Sequence, residues 1–186
     1  MPSFGPIAAR LLIVGLAPGL RGANRSGRPF TGDFAGDLLF PMLIKHGFAG
    51  GEYAAGRDEG AWAGDRLALD DARITNAVRC VPPQNKPLPA EIRTCRRFLV
   101  AEIAAMSNLK AVLALGRVAH DAALDALDAR KRDFVFAHGA LHVLPSAIAL
   151  ADSYHCSRYN TNTGVLTPSM FEAVVARLRE ICAAPR

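Results

Sequence analysis

The sequence predicts an α/β fold: a parallel sheet covered by helices on both faces. Two short, almost wholly apolar runs, residues 11–14 and 111–115, read as strands buried on both sides. Segments of helical period alternate with such runs, the pattern of strands joined by helical crossovers. The chain has 186 residues, 51% hydrophobic and 21% charged, which suits one domain (1–186) with a single buried core.

Taken in order, residues 10–15 form the first strand and deliver a long loop, 15–33. After Asp33, the spacing of Leu38, Leu39, Met42 and Leu43 predicts a short amphipathic helix that stops at Gly47. Residues 49–69 carry little pattern, although Trp62 and Leu67 suit the edge of a core. Residues 72–79 alternate towards a second strand and run into a proline-rich loop, 80–87. Pro89 suits the first turn of a helix in which Ile92, Phe98, Leu99, Ile103 and Met106 recur to about Ser107. The strand 111–116 and a helix bearing Val118, Ala122, Leu124 and Leu127 come next. Residues 141–144 and 148–153 supply the last strand or pair of strands. Thr167 then caps and Pro168 starts a terminal helix striped by Phe171, Val174, Val175, Leu178 and Ile181.

Composition narrows the function. A net charge of +5 and an isoelectric point near 9.3 suit a polyanionic partner. No run approaches the ~18 apolar residues of a membrane span, and no basic segment with an apolar core opens the chain. The expectation is a cytoplasmic protein without membrane contact. Four cysteines with no secretory signal read as free thiols or metal ligands rather than a disulfide framework.

The layout places loops 15–33, 80–87 and 154–164 at the C-terminal ends of strands, where open parallel sheets bind ligands. The first loop carries Gly19, Gly22, Gly27 and Gly32, prolines 18 and 29, and arginines 21, 25 and 28. Its backbone amides can approach a ligand closely beside positive charge. Unpatterned loops of this length are mostly functional or disordered, and strong strand and helix signals on either side favour function. Phe30 and Asp33 add a flat ring and a carboxylate. Asn76 ends one strand and His155 follows another, so both can face a pocket with Phe30.

These motifs are similar to those of the uracil-DNA glycosylase superfamily, most closely its type-B branch, family 5. The resemblance rests on Gly15-Leu16-Ala17-Pro18-Gly19 continuing through Gly22-Ala23-Asn24-Arg25-Ser26-Gly27-Arg28-Pro29-Phe30-Thr31-Gly32-Asp33. It rests equally on Ile74-Thr75-Asn76-Ala77-Val78-Arg79-Cys80-Val81-Pro82-Pro83, and on His155-Cys156-Ser157 through Asn160-Thr161-Asn162-Thr163-Gly164. It implies a three-layer αβα fold with a mostly parallel four-stranded sheet. The implied activity is monofunctional removal of uracil, and of other deaminated or damaged bases such as hypoxanthine, from double-stranded DNA by a monomer.

Such a reaction builds positive charge on deoxyribose and negative charge on the departing base. Asp33 and His155 are then the catalytic candidates: Asp33 to orient water and support the cationic sugar, His155 to donate to the developing oxyanion. Ala17, Phe30 and Asn76 are the base-binding candidates, Phe30 by stacking and Asn76 through its amide. Other branches place a carboxylate or asparagine where this chain has Leu16 and Ala17, which moves the charged role to Asp33. Arg28, Lys86 and Ser157 suit DNA phosphates, while Arg158 and Tyr159 suit the gap left by a flipped base. The chemistry needs no cofactor. Cys80 and Cys95 match the second half of the 4Fe-4S ligand set of families 4 and 5, so a cluster would be incomplete here, and the expectation is either that an N-terminal cluster-binding segment is lacking or that this member does without the cluster. A DNA-damage-binding relative with little turnover is the second reading, and a small-phosphate binder the third.

Overall fold

The computed structural model describes residues 1–55 and 65–185. Trp62 lies outside them. Strand β1 (Leu11–Gly15) is followed by the one-turn helix α1 (Ala23–Ser26), then α2 (Phe34–Lys45). Two-residue strands β2 (Ala49–Gly50) and β3 (Ala68–Leu69) pair as a small antiparallel ribbon before β4 (Ala72–Asn76). Helix α3 (Pro89–Ala105), β5 (Ala111–Leu115) and α4 (Arg117–Ala126) come next. The chain ends with β6 (Leu141–Val143), β7 (Ala149–Ser153), α5 (Arg158–Asn162) and α6 (Pro168–Ala183).

The main sheet has five strands in the order β4-β1-β5-β7-β6. Four are parallel, and β6 runs antiparallel to β7 with Leu141 opposite Ala151. The four-stranded expectation is therefore corrected to a five-stranded mixed sheet. The cause is local: Leu144 N–H donates to Ile148 O at 3.0 Å and Ala147 takes a left-handed φ of 62°. A turn this tight reverses the chain and leaves no length for a crossover.

Alternate residues of β1 and β5 enter two separate cores, which explains their unbroken apolar runs. Leu11, Ile13, Leu113 and Leu115 pack with Leu39, Phe40, Phe171 and Leu178 from α2 and α6. Leu12, Val14, Val112 and Ala114 pack with Leu99, Ala119, Ala123 and Leu124 from α3 and α4. This is the three-layer αβα arrangement. Leu67 is buried in the first core, consistent with its expected place at an edge. Gly15 is in register with Asn76, and Leu115 with Ser153, so the parallel strands end together along one edge.

Candidate active site

The site starts at Gly15, the last residue of β1. A Cβ there would lie 2.5 Å from Asn76 Oδ1 and 2.8 Å from Phe30 Cζ. Only glycine lets the amide and the ring close over the strand end together. Phe30 is buried and held at a left-handed φ of 57°, a strained conformation for a residue with a side chain. Its carbonyl packs onto Gly36 of α2, where a Cβ would come within 2.0 Å of Phe30 O. The His155 ring stands 5.9 Å from the Phe30 ring, centroid to centroid, with the planes 26° apart. Asn160 Nδ2 donates to His155 O at 2.8 Å and fixes the backbone there.

Asp33 serves two ends. Its Oδ1 accepts from Ala35 N–H at 2.9 Å and caps α2. Its Oδ2 faces the glycine turn, so that a Cβ on Gly22 would come within 3.0 Å of it. These groups meet around a cavity of about 270 Å³ lined by Ala17, Phe30, Asp33, Asn76, His155 and Ser157. A wider mouth of about 660 Å³ adjoins it, with Arg21, Arg25, Phe34 and Arg158 in its walls.

Burial pushes the His155 imidazole below its ordinary value, and the Asp33 charge opposes part of that fall. The ring is thus neutral near pH 7, with one N–H to donate and no charge to lose. A histidine NMR titration checks this: His155 is expected to titrate below 6.5, and lower still in Asp33→Asn, which removes the opposing charge. An upward move in Asp33→Asn would contradict the assignment.

The expected DNA contacts divide. Ser157 lines the cavity, and its Oγ caps α5 by accepting from Asn160 N–H at 3.4 Å. Arg158 lies in the mouth with its guanidinium 4.4 Å from the centre of the Phe34 ring. Tyr159 is 75% exposed and Lys86 is exposed at the end of the turn Pro83–Asn85, both outside the cavity walls.

Arg28 is turned inward instead, which corrects the expectation that it reaches phosphate. Its Nη1 donates to Asp65 Oδ1 and its Nε to Thr31 Oγ1, each at 2.7 Å. Burial works against the Asp65 charge, but the Arg28 guanidinium holds the carboxyl below the usual range. The Arg28 side chain is 17% exposed and that of Asp65 only 2%. Arg28→Ala would leave the carboxylate unpaired, a loss of about 3 kcal/mol. Urea unfolding is expected to register that loss, while the salt dependence of DNA affinity stays unchanged.

Asn85 was not anticipated. It lines both the cavity and the mouth, carried there by consecutive left-handed residues, Gln84 at φ 52° and Asn85 at φ 56°. The signal was present in Pro82-Pro83-Gln84-Asn85, because asparagine tolerates that conformation in a turn.

The cysteines do not assemble a cluster site. Cys80 is exposed and Cys95 half-buried, both free, while Cys156 and Cys182 are sealed in the core. Burial pushes both core thiols up, Cys182 to about 11. A 4Fe-4S cluster needs four thiolates, and among the described residues no cysteine joins a group of three or more ligand-type side chains. The residues described do not fit that group. No helix among them is long and apolar enough to cross a membrane.

Comparison with known proteins bears on this geometry. A type-5 uracil-DNA glycosylase of Thermus thermophilus is 42% identical over 181 residues, covering 97% of this chain and 80% of that protein. One from Mycobacterium tuberculosis is 38% identical over 97% of this chain, which spans 66% of that relative's length. A type-4 uracil-DNA glycosylase of Archaeoglobus fulgidus is 33% identical over 64% of this chain and 49% of its own. The uracil DNA glycosylase superfamily model matches residues 2–179, a span that holds all three strand-end loops around the cavity. The chain belongs to the uracil DNA glycosylase superfamily.

Proposed function

We propose that this chain is a monofunctional uracil-DNA glycosylase of the type-5 kind, which hydrolyses the bond between uracil and deoxyribose and leaves an abasic site. The observation that carries the reading is the shared cavity of Phe30, Asn76, His155 and Asp33. Its assignment to the type-5 branch is supported by the higher identity and coverage of the type-5 relatives.

In this reading the extruded uracil lies against the Phe30 ring with the Asn76 amide at its polar edge. Base and amide then exchange hydrogen bonds that replace those lost from the duplex. The bond from C1′ to the base breaks with its electron pair leaving on uracil. Neutral His155 donates to the carbonyl oxygen on which that charge develops, an interaction stronger in the transition state than before it. The Asp33 carboxylate faces the cationic sugar and orients the water that adds to C1′. That water's second proton leaves to solvent. No lysine lines the cavity or the mouth among the described residues, so no amine is placed to attack C1′ and cut the strand.

Arg158 and Tyr159 stand at the mouth-side helix to enter the gap in the duplex, and Ser157 and Lys86 are assigned to the backbone. Leu16 and Ala17 supply no group to hold a water tightly. The pocket therefore relies on how readily a base departs, which extends its range to hypoxanthine and other deaminated or damaged bases.

Incubating the protein with a uracil-containing duplex and cleaving abasic sites with alkali tests the reading. Free uracil released during the incubation, with a strand break that appears only after alkali, is the expected result. Tight binding of the uracil duplex with no base released over many hours would instead identify a damage-binding protein.

A further inference from the structure

A second cluster of polar side chains lies apart from the cavity. His120 of α4, His142 of β6 and Asp152 of β7 converge from three elements, and none of them lines the cavity or its mouth. Their ligand atoms all lie within 4.8 Å of one another. Asp152 is fully buried and His120 is 1% exposed.

The hydrogen bonding of this cluster is short of one positive charge. His120 Nε2 sits 3.0 Å from Phe134 O, and a carbonyl only accepts, so that nitrogen carries the hydrogen. In the neutral ring the lone pair of Nδ1 then points at Asp152 Oδ1, 2.7 Å away. Two lone pairs at that distance need a proton or a metal ion between them. On the other side His142 Nε2 faces Asp152 Oδ2 at 3.4 Å, is closed to water and makes no hydrogen bond. A buried nitrogen left in this way costs about 1–3 kcal/mol.

We propose that His120, His142 and Asp152 bind one divalent transition-metal ion of the zinc class. Two imidazoles and a carboxylate are a donor set suited to zinc, cobalt or nickel. Metal–ligand bonds of ~2.0–2.1 Å set tetrahedral ligand separations of about 3.3 Å. His120 Nδ1 lies 2.7 Å from Asp152 Oδ1 and His142 Nε2 lies 3.4 Å from Oδ2, the other oxygen of that carboxylate, with all the ligand atoms inside 4.8 Å, so small side-chain rotations bring the set to that spacing. The bond from His120 Nε2 to a backbone carbonyl is the arrangement that orients a ligating histidine and fixes its tautomer. The rings of Phe136 against His120 and Phe134 against His142, at 5.6 and 5.7 Å, wall the cluster from bulk water.

The ion would supply the missing positive charge, satisfy His142 Nε2 and leave a fourth position to water. It would pin the β6–β7 hairpin to α4, three residues before His155. Its role is to hold that strand end, and it takes no part in base release.

The test uses the full chain with Cys80→Ser and Cys95→Ser, so that surface thiols do not compete, stripped with EDTA and titrated with Zn²⁺ and Co²⁺. One ion per chain by calorimetry and native mass spectrometry, with a higher Tm, is expected. Bound Co²⁺ is expected to show visible d–d absorption without thiolate charge transfer. His142→Ala, on the half-exposed edge strand, is expected to weaken Zn²⁺ binding by at least about tenfold and cancel the rise in Tm. Excision by the metal-free variant is expected to match that of the metal-free parent. Absence of a bound ion at saturating Zn²⁺ in the folded parent overturns the proposal and leaves the cluster to a shared proton. Binding of equal strength in His142→Ala and Asp152→Asn overturns it too.

Discussion

His155→Ala is expected to lower the single-turnover rate of uracil excision by ~10²-fold to 10³-fold, the usual loss on removing one donor to a developing oxyanion. Affinity for the uracil duplex is expected to hold within a few fold, because the hydrogen bond strengthens only as charge moves onto the base. His155 follows β7 and its backbone carbonyl is held by Asn160, so the truncation removes a ring without breaking a main-chain contact. Rapid quench at saturating enzyme measures the rate, and filter binding with a duplex that resists cleavage measures affinity. An unchanged rate would remove His155 from the chemistry. An equal fall in rate and affinity would make it a binding residue.

Gly15→Ala is expected to cost about 10²-fold in excision, the scale of a roughly 1 Å displacement of groups that position a substrate. The new methyl group would stand 2.5 Å from Asn76 Oδ1 and 2.8 Å from Phe30 Cζ. Neither can yield freely. Asn76 is paired with Gly15 in the sheet, and Phe30 is locked by its backbone and by the approach of Gly36. Crowding of this kind also costs about 1–3 kcal/mol of stability, which urea unfolding would register. Gly47→Ala is the control, since Gly47 has a left-handed φ of 68° but nothing within 4 Å of a new Cβ. It is expected to lose stability and keep its excision rate. Loss of activity in both variants alike would mean that instability, not displacement of the base seat, is what Gly15→Ala reports.

The parts of the site legible in the sequence were those tied to the ends of buried strands. The apolar run before Gly15, the alternation before Asn76 and the run before His155 each placed a polar residue at one sheet edge, and the parallel register aligned them. Groups whose partners are remote in sequence were not legible. Arg28 reads as a surface cation until Asp65, in a stretch without pattern, is found against it. Asn85 was signalled only by an asparagine tolerant of a left-handed turn after two prolines, with no glycine to announce the second left-handed residue beside it. β6 was legible as one of a pair of strands, but its antiparallel direction was not, because that follows from the tight turn at Ala147. The buried cluster of His120, His142 and Asp152 is likewise assembled from separate elements and leaves no spacing motif.

The seating of uracil against the Phe30 ring, with Asn76 and neutral His155 at its polar edge, is tested most directly by a crystal structure with duplex DNA carrying 2′-deoxy-2′-fluorouridine. The fluorine disfavours positive charge on the sugar and keeps the glycosidic bond intact. The expected result is an extruded base within the cavity of about 270 Å³, with the Asn76 amide at its polar edge and the His155 ring within hydrogen-bond distance of its carbonyl oxygen. A base lodged in the wider mouth beside Arg21 and Arg158, or still stacked in the duplex with the cavity vacant, would contradict it.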